Sequence, residues 1–434
     1  MINKKNKSVF LILLISVFIG LVAGFRPSDE GKMDTKPRVI ISTDIGGTDD
    51  DDFQSMIHFL MYSDRFNTEG LISSPSYGNG KKKDIQDMID LYAKDCPKLN
   101  AHADFPEPDS LRAVCKQGAF GNAPYTGWRS ATEGSEWIIQ CARKKASQPL
   151  WILVWGGLDD VAQALHDAPD IKNKIRVYWI GGPNKKWSVN SYAYIVKNFP
   201  DLWFIENNAT YRGLFANISP VDEATANQYY DQHIHGSGSM GKRFENYYKG
   251  VIKMGDTPSL LYAMDSGLEN PGKESWGGSF SKIDYSTRRI VNRNTTSNDS
   301  VPVYSIIEWH FKGPVITFPV DSSCFTLEIL GQQWPGYYVG KGKYVARYSP
   351  KKSETCIYKT TSKIPGFAVQ SGQFVVTNHW PGKRSPDDYP LGTTWYSDRP
   401  EADLFLGDQQ GGRTIYKWRQ KFQDDWARRW AWLQ

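Results

Sequence analysis

Thr43-Asp44-Ile45-Gly46-Gly47-Thr48-Asp49-Asp50-Asp51-Asp52-Phe53-Gln54-Ser55-Met56 is the stretch on which the reading of this chain turns. It continues Arg38-Val-Ile-Ile-Ser-Thr43, whose run of β-branched residues predicts a buried strand. Beyond it, Phe53, Met56, Ile57, Leu60 and Met61 fall at helical spacing. Asp44 therefore ends a strand, Gly46 and Gly47 allow a tight turn, and Asp51-Asp52 open a helix. The five carboxylates between Asp44 and Asp52 repel one another unless something positive neutralises them. A hard cation bound through oxygen would do so, and Ca²⁺ accepts such ligands in flexible geometry; the EF-hand spacing is absent. Attraction to the helix dipole, worth about a few tenths of a kcal/mol per charge, accounts for Asp51 or Asp52 but not for Asp44 at a strand end.

Outward from this loop, strand and helix signals alternate as far as Ile283. Glu69–Ser73, Leu150–Val154, Ile175–Ile180 and Leu202–Ile205 predict strands, with helices at Val161–Leu165 and Tyr192–Lys197. The fold class is α/β, a mostly parallel sheet flanked by helices over 38–283, with its ligand outside the carboxyl ends of the strands. From 284 to 413 the texture changes to short alternating runs such as Val303–Trp309, Phe325–Ile329, Tyr344–Tyr348 and Gln373–Thr377. These predict an inserted antiparallel, β-sandwich-like module. The tail, 414–434, returns to helix, with Trp418, Phe422, Trp426 and Trp430 in a packing stripe.

A length of 434 residues suggests two domains, and 40% hydrophobic with 23% charged residues fits a soluble globular protein. Residues 1–24 read as a signal peptide: Lys4, Lys5 and Lys7 precede the apolar run Val9–Leu21, and Ala23-Gly24 supply a cleavage site. Residues 25–37 form a linker. The reading is periplasmic or secreted, with no stable membrane anchor. Removing the segment lowers the net charge from +5 to about +2, too little for a nucleic-acid binder. Cys96 with Cys115, and Cys324 with Cys356, could pair in an oxidising compartment, although buried free thiols are the default.

The acidic loop resembles the Asp-x-Gly-x-Asp-Asp signature of the inosine-uridine nucleoside hydrolases, with two extra residues before the Asp pair. It is closer still to their exported relatives, some labelled cellulose-binding proteins, which carry Pro where Asp50 stands here. The likeness extends through Ser73-Ser-Pro-Ser-Tyr-Gly-Asn79, Trp155-Gly-Gly-Leu-Asp-Asp160, Gly181-Gly-Pro-Asn184, Asn207-Asn-Ala-Thr-Tyr-Arg212 and Gly255-Asp-Thr-Pro258. The resemblance implies that Asp44 ligates Ca²⁺ and activates the attacking water, that Asp52 is a further ligand, and that Asp51 contacts sugar hydroxyls. It implies a backbone-carbonyl ligand at Asp159 and a late carboxylate ligand at Asp256. In the hydrolases a His usually precedes that late Asp; here Gly255 does, which removes one leaving-group acid.

Further candidates follow from position. Asp49 adds an acidic ligand to the loop, and Asn79 resembles the family's sugar-contacting Asn. Asn184 and Asn190 lie beyond the Ile175–Ile180 strand; Glu206, Asn208 and Arg212 lie beyond the next, Arg212 reading as an ion-pair partner. His233 and His235 are the best replacements for the missing acid, His235 foremost. Tyr77, Tyr125 and Trp128 could stack on a sugar, and Trp309, Trp334, Tyr337, Tyr338, Trp380 and Trp395 could shape the pocket or bind glycan. The expected activity is calcium-dependent hydrolysis of an N- or O-glycosidic bond in a small sugar-containing substrate or glycan, in a possible homo-oligomer. The rivals are a non-catalytic carbohydrate binder with structural calcium and a true nucleoside hydrolase releasing free base.

Overall fold

A computed structural model describes residues 36–47, 49–74, 80–215, 228–265 and 268–434. The expected signal peptide, most of the expected linker, and the candidates Tyr77 and Asn79 lie outside them.

Strand β1 (Arg38–Thr43) is buried along its whole length because it pairs in parallel with β2 (Asn67–Ser73) on one side and β4 (Leu150–Val154) on the other. A strand covered on both edges and both faces needs a continuous apolar run. The sheet continues through β3 (Cys115–Gln117) beyond β2, and through β5 (Ile175–Ile180) and β6 (Phe204–Asn207) beyond β4, all in parallel. In the order β3-β2-β1-β4-β5-β6 the direction of winding reverses between β1 and β4. That reversal opens a crevice at the carboxyl ends of the two strands. The acidic loop leaves β1 at this point.

After the inserted segment the chain returns to the same sheet. Trp395–Asp398 pairs in parallel with β6 and antiparallel with β7 (Phe280–Lys282), the edge strand. Trp395, read from sequence as part of the module, instead stacks on Phe204 with ring centroids 4.3 Å apart.

The inserted segment forms an eight-stranded sheet. Its pairings are antiparallel except at the two edges, where Ser300–Pro302 runs parallel to Ser371–Thr377 and Arg288–Val291 parallel to Ile306–Lys312. The inserted module is thus mainly antiparallel, as expected, with parallel pairing added at these two edges. Parallel neighbours require a crossover connection rather than a hairpin, and the 292–305 stretch provides one. Trp309, Trp334, Tyr337, Tyr338, Trp380 and Trp395 are all buried, so they pack the interior instead of forming a platform. Cys96, Cys115, Cys141, Cys324 and Cys356 are buried and free.

The two sheets share polar seams. Arg347 Nε donates to Glu308 Oε2 (2.6 Å), Tyr125 Oη to Glu308 Oε1 (2.9 Å), and Arg347 Nη1 to the Tyr125 carbonyl (3.0 Å). The Arg347 guanidinium also lies 3.8 Å from the Tyr125 ring centroid, so Tyr125 is a packing residue. The tail helix Arg419–Ala431 lays Phe422 and Trp426 against His58 and ties Arg429 Nη1 to the Met61 carbonyl (2.6 Å). It thereby buttresses helix α1 (Asp51–Met61), whose first turn carries the acidic pair. Among the described residues, no helix is long and apolar enough to cross a membrane.

Candidate active site

Three separate segments bring carboxylates together at the β1/β4 crevice. The turn after β1 closes with the Gly47 N–H donating to the Asp44 carbonyl (2.9 Å). A Cβ on Gly156 would stand 2.6 Å from Asp44 Cγ, which explains the glycine directly beyond β4. Thr43 Oγ1 donates to Asp52 Oδ1 (2.5 Å) and accepts from the Ile45 N–H (3.1 Å), fixing the Asp52 rotamer from the strand side.

The third segment is stapled to α1 by the buried Gln54. Its Nε2 donates to the carbonyl of Val251 (2.9 Å), and its Oε1 accepts from the N–H of Lys253 (2.8 Å) and Met254 (3.2 Å). Tyr248, Lys249 and Met254 have φ of 52°, 52° and 28° in this loop. Positive φ is costly for non-glycine residues and persists where the surroundings hold it. The loop delivers Asp256, whose carbonyl accepts from Ser259 Oγ (2.7 Å), which in turn accepts from Trp155 Nε1 (2.8 Å).

Asp51, Asp52 and Asp256 then each place a carboxylate oxygen within 4.8 Å of the others. Asp256 Oδ2 is buried and has no hydrogen-bond partner among the described residues. Burial first, and neighbouring carboxylates next, raise the pKa of all three; Asp51 is pushed up to about 7. Three hard oxygen donors, one of them unpartnered among the described residues, fit a hard metal cation, which takes carboxylate ligands of this kind.

A pH dependence follows. In the cation-free protein, Asp51 has a pKa raised from 3.8 to about 7, so its contribution to stability is present below about pH 4 and is lost as the pH rises towards 7. A cation offsets the repulsion where the carboxylates are ionised. Added calcium is expected to raise the melting temperature more at pH 8 than at pH 5. Scanning calorimetry with and without EDTA checks this, and an equal increment at both pH values contradicts it.

The triad lies in a cavity of about 600 Å³ that is also lined by Asp44, Asp49, Asn184, Trp155, Tyr211, Arg212, Lys253 and Lys351. Asp44 lines the same cavity as the triad, and its charge adds to the raised pKa of Asp51, Asp52 and Asp256. Asn184 is held by Nδ2 donating to the carbonyls of Trp155 (2.7 Å) and Ile180 (3.0 Å). Asp51 joins the carboxylate cluster itself. Asp49 lies at the exposed edge, paired with Lys253 Nζ (2.6 Å to Oδ1).

The side chains of the other candidates have partners of their own. The Asp159 side chain, as distinct from the backbone carbonyl expected as a ligand, accepts from the Ala123 N–H (2.6 Å) and Ser191 Oγ (3.0 Å) and lines a separate small cavity with Trp128. Trp128 stacks on His166 with centroids 3.6 Å apart. Asn190 bridges the Ala123 carbonyl (3.1 Å) and Arg347 (3.3 Å). Glu206 is fully buried, accepting from Lys185 Nζ (2.6 Å), Tyr192 Oη (2.7 Å) and Asn208 Nδ2 (2.8 Å). Glu206 and Asn208 thus satisfy an internal ion pair. His235 is exposed, touches Tyr230 and does not line the triad's cavity; neither does His233, which packs on Tyr229.

Sequence reasoning missed Tyr211, Lys253 and Lys351 on the cavity wall, and misassigned Arg212. Arg212 has no acidic partner within ion-pair distance among the described residues; its Nε donates to Tyr211 Oη (3.0 Å) and its Nη1 to Gln409 Oε1 (3.2 Å). The Asn207–Arg212 motif carried a signal for two of these residues, whereas nothing local to Lys351 points to the site. Gly255 also gains a physical reason. A Cβ there would lie 2.5 Å from Asp51 Oδ2, so no side chain fits without moving that carboxylate. Gly255→Ala is expected to lower calcium affinity about tenfold or more, as small displacements around a ligand do. Titration calorimetry checks this; an unchanged affinity would remove Asp51 from the ligand set.

A family profile described as "Cellulose-binding Sde182, nucleoside hydrolase-like domain" matches residues 38–280, and a domain of unknown function, DUF5060, matches residues 300–363. Similar solved structures include a nucleoside hydrolase-related hypothetical protein from Saccharophagus degradans associated with carbohydrate metabolism. It is 18% identical, covers 79% of this chain and 100% of its own, and has a TM-score of 0.48. The inosine-uridine preferring nucleoside hydrolase from Bacillus anthracis is 13% identical over 79% of this chain and 94% of its own, with a TM-score of 0.36. The purine-preferring ribonucleoside hydrolase from Gardnerella vaginalis is 13% identical over 58% and 84%, also at 0.36. No curated protein matches the chain.

Proposed function

The chain belongs to the nucleoside hydrolase-like family of cellulose-binding Sde182, and on that premise we propose that it is an exported, calcium-dependent hydrolase of a glycosidic bond, N- or O-linked, in a sugar-containing substrate. The observation that carries the reading is the buried Asp256 oxygen, unpartnered among the described residues, in a cluster of three carboxylates that line a cavity with room for a sugar. Asp51, Asp52 and Asp256 would hold the cation, with Asp44 beside them. When bound, calcium supplies Lewis-acid polarisation and a template for oxygen ligands.

The chain's own residues supply the rest. Asp44 lies at the cavity floor as the base that takes a proton from the attacking water. Asn184 and Tyr211 stand on the walls, where they orient hydroxyls of the sugar ring. Cleavage of a glycosidic bond passes through an oxocarbenium-like centre, and direct attack by water without a protein nucleophile inverts the anomeric carbon. Export and the lack of a histidine among the described cavity residues favour a glycoside over an intracellular nucleoside.

The family's description also names cellulose binding, which supports a second reading as a non-catalytic carbohydrate binder with structural calcium. The burial of the inserted segment's tryptophans weighs against a flat glycan platform there. The deciding experiment is a hydrolysis screen of the purified protein with Ca²⁺ or EDTA, against nucleosides and aryl glycosides of pentoses and hexoses. Calcium-dependent release with inversion is the expected result. Release of free base from inosine or uridine would favour the nucleoside reading, and silence on both panels the binder.

A further inference from the structure

The cavity that holds the acidic cluster is also lined by three cations, Arg212, Lys253 and Lys351, and by a further carboxylate, Asp408. Lys253 is accounted for, because it pairs with Asp49 and receives further support from Tyr248 Oη at 3.2 Å. Arg212 and Lys351 are not. The Arg212 guanidinium is half-buried, and among the described residues it hydrogen-bonds only to neutral groups, the Tyr211 hydroxyl and the Gln409 amide, with the Asp398 charge acting on it from beyond ion-pair distance. Lys351 is half-buried and forms no hydrogen bond or ion pair among the described residues. The nearby acid Glu354 pairs instead with Lys352, at 3.5 Å.

Two unpaired cations in one cleft is an arrangement that needs an explanation. Burial, and then the Arg212 charge, push the Lys351 ammonium below its usual pKa, so the two groups work against each other in the cleft. The fold nevertheless holds them there. Lys351 follows Pro350, whose carbonyl accepts from the Tyr304 N–H (2.8 Å), and Tyr304 itself has a φ of 61°. Arg212 is pinned from the other side by Gln409, in the loop between the Trp395–Asp398 strand and the tail. Lys351 comes from a turn of the inserted sheet, between Lys343–Tyr348 and Thr355–Ser362, so that sheet reaches the cleft by placing a positive charge in it.

We propose that Arg212 and Lys351 receive an anionic group, a carboxylate or a phosphate, carried by the sugar substrate whose hydroxyls face the acidic floor. This rests on the hydrolase reading for the role of the floor. A guanidinium and an ammonium together suit either anion through charge-assisted hydrogen bonds. The acidic floor would repel such a substrate until a cation neutralises it. Calcium and the anionic sugar therefore bind with positive coupling, each raising the other's affinity by the same factor.

The test is titration calorimetry of the calcium-loaded protein with D-glucuronate and D-galacturonate, with glucose 6-phosphate and ribose 5-phosphate, and with neutral glucose, galactose and ribose. It is accompanied by turnover of 4-nitrophenyl glucuronides against the matching glucosides. At least one anionic probe is expected to bind about tenfold or more tightly than its neutral counterpart, and which set wins separates carboxylate from phosphate. Lys351→Met and Arg212→Gln are each expected to erase that preference while leaving calcium affinity within about twofold. EDTA should weaken the anionic probe more than the neutral one. Equal affinity for charged and neutral sugars, binding by no probe, or a preference that survives both substitutions overturns the proposal. Calcium-dependent hydrolysis of neutral glycosides without charge preference would leave the hydrolase standing and remove only the anionic substrate. A lysine-dependent anion preference without turnover of any probe would do the reverse.

Discussion

Asp44→Asn is expected to lower turnover by about 10²- to 10⁴-fold at saturating calcium, the range that removal of a positioned general base produces. The substitution is isosteric, so Gly156, which closes on the Asp44 side chain, meets the same outline. It also removes one charge from a cluster in which Asp44 raises the pKa of three other carboxylates. The calcium-free variant should therefore melt no lower than the wild type. A severe loss of rate in a protein of undiminished stability separates a base from a structural acid. Activity within tenfold of wild type would place the proton transfer elsewhere. For a protein that only binds carbohydrate, the same substitution would weaken ligand binding merely in step with calcium.

Glu206→Ala should act on stability and not on the substrate. Lys185 and Glu206 are both fully buried, and the Lys185 ammonium lies between the rings of Tyr192 and Trp380, 3.8 and 4.1 Å from their centroids. Removing the carboxylate strands that ammonium, at a cost of about 3–5 kcal/mol. The melting temperature should fall by roughly 5–15 °C. The double variant Glu206→Ala, Lys185→Met should recover much of this loss, since the penalty comes from the unpaired charge. A raised KM with unchanged stability would instead restore Glu206 to the substrate site suggested by its place after a strand.

Short-range patterns were legible: β1, β4 and β5 occupy the stretches read from their apolar runs, and the acidic loop lies at the carboxyl end of β1. Long-range returns were not. Trp395–Asp398 reads as one more short β run, and only pairing with β6, nearly two hundred residues earlier, assigns it to the parallel sheet. The same limit governs the site. Asp51 and Asp52 are neighbours on one helix turn, but Asp256 reaches them because Gln54 captures the loop before it. Residue type after a strand also overreached. Asn190, Glu206 and Asn208 stand where ligands bind in such folds, yet their polar atoms are consumed by internal partners. Lys351 illustrates the opposite failure, since an unremarkable lysine in a turn acquires a role only when the inserted sheet lies against the crevice.

The most direct measurement is a calorimetric titration of the purified protein with calcium at pH 8, repeated on Asp256→Asn. The account predicts one saturable site in the wild type, bound with release of protons as the triad ionises, and loss of that site in the variant. It also predicts that the calcium-free variant melts no lower than the calcium-free wild type, because one buried repulsive charge is gone. No binding heat in the wild type, or the same affinity in Asp256→Asn, would contradict the claim that these three carboxylates form a cation site.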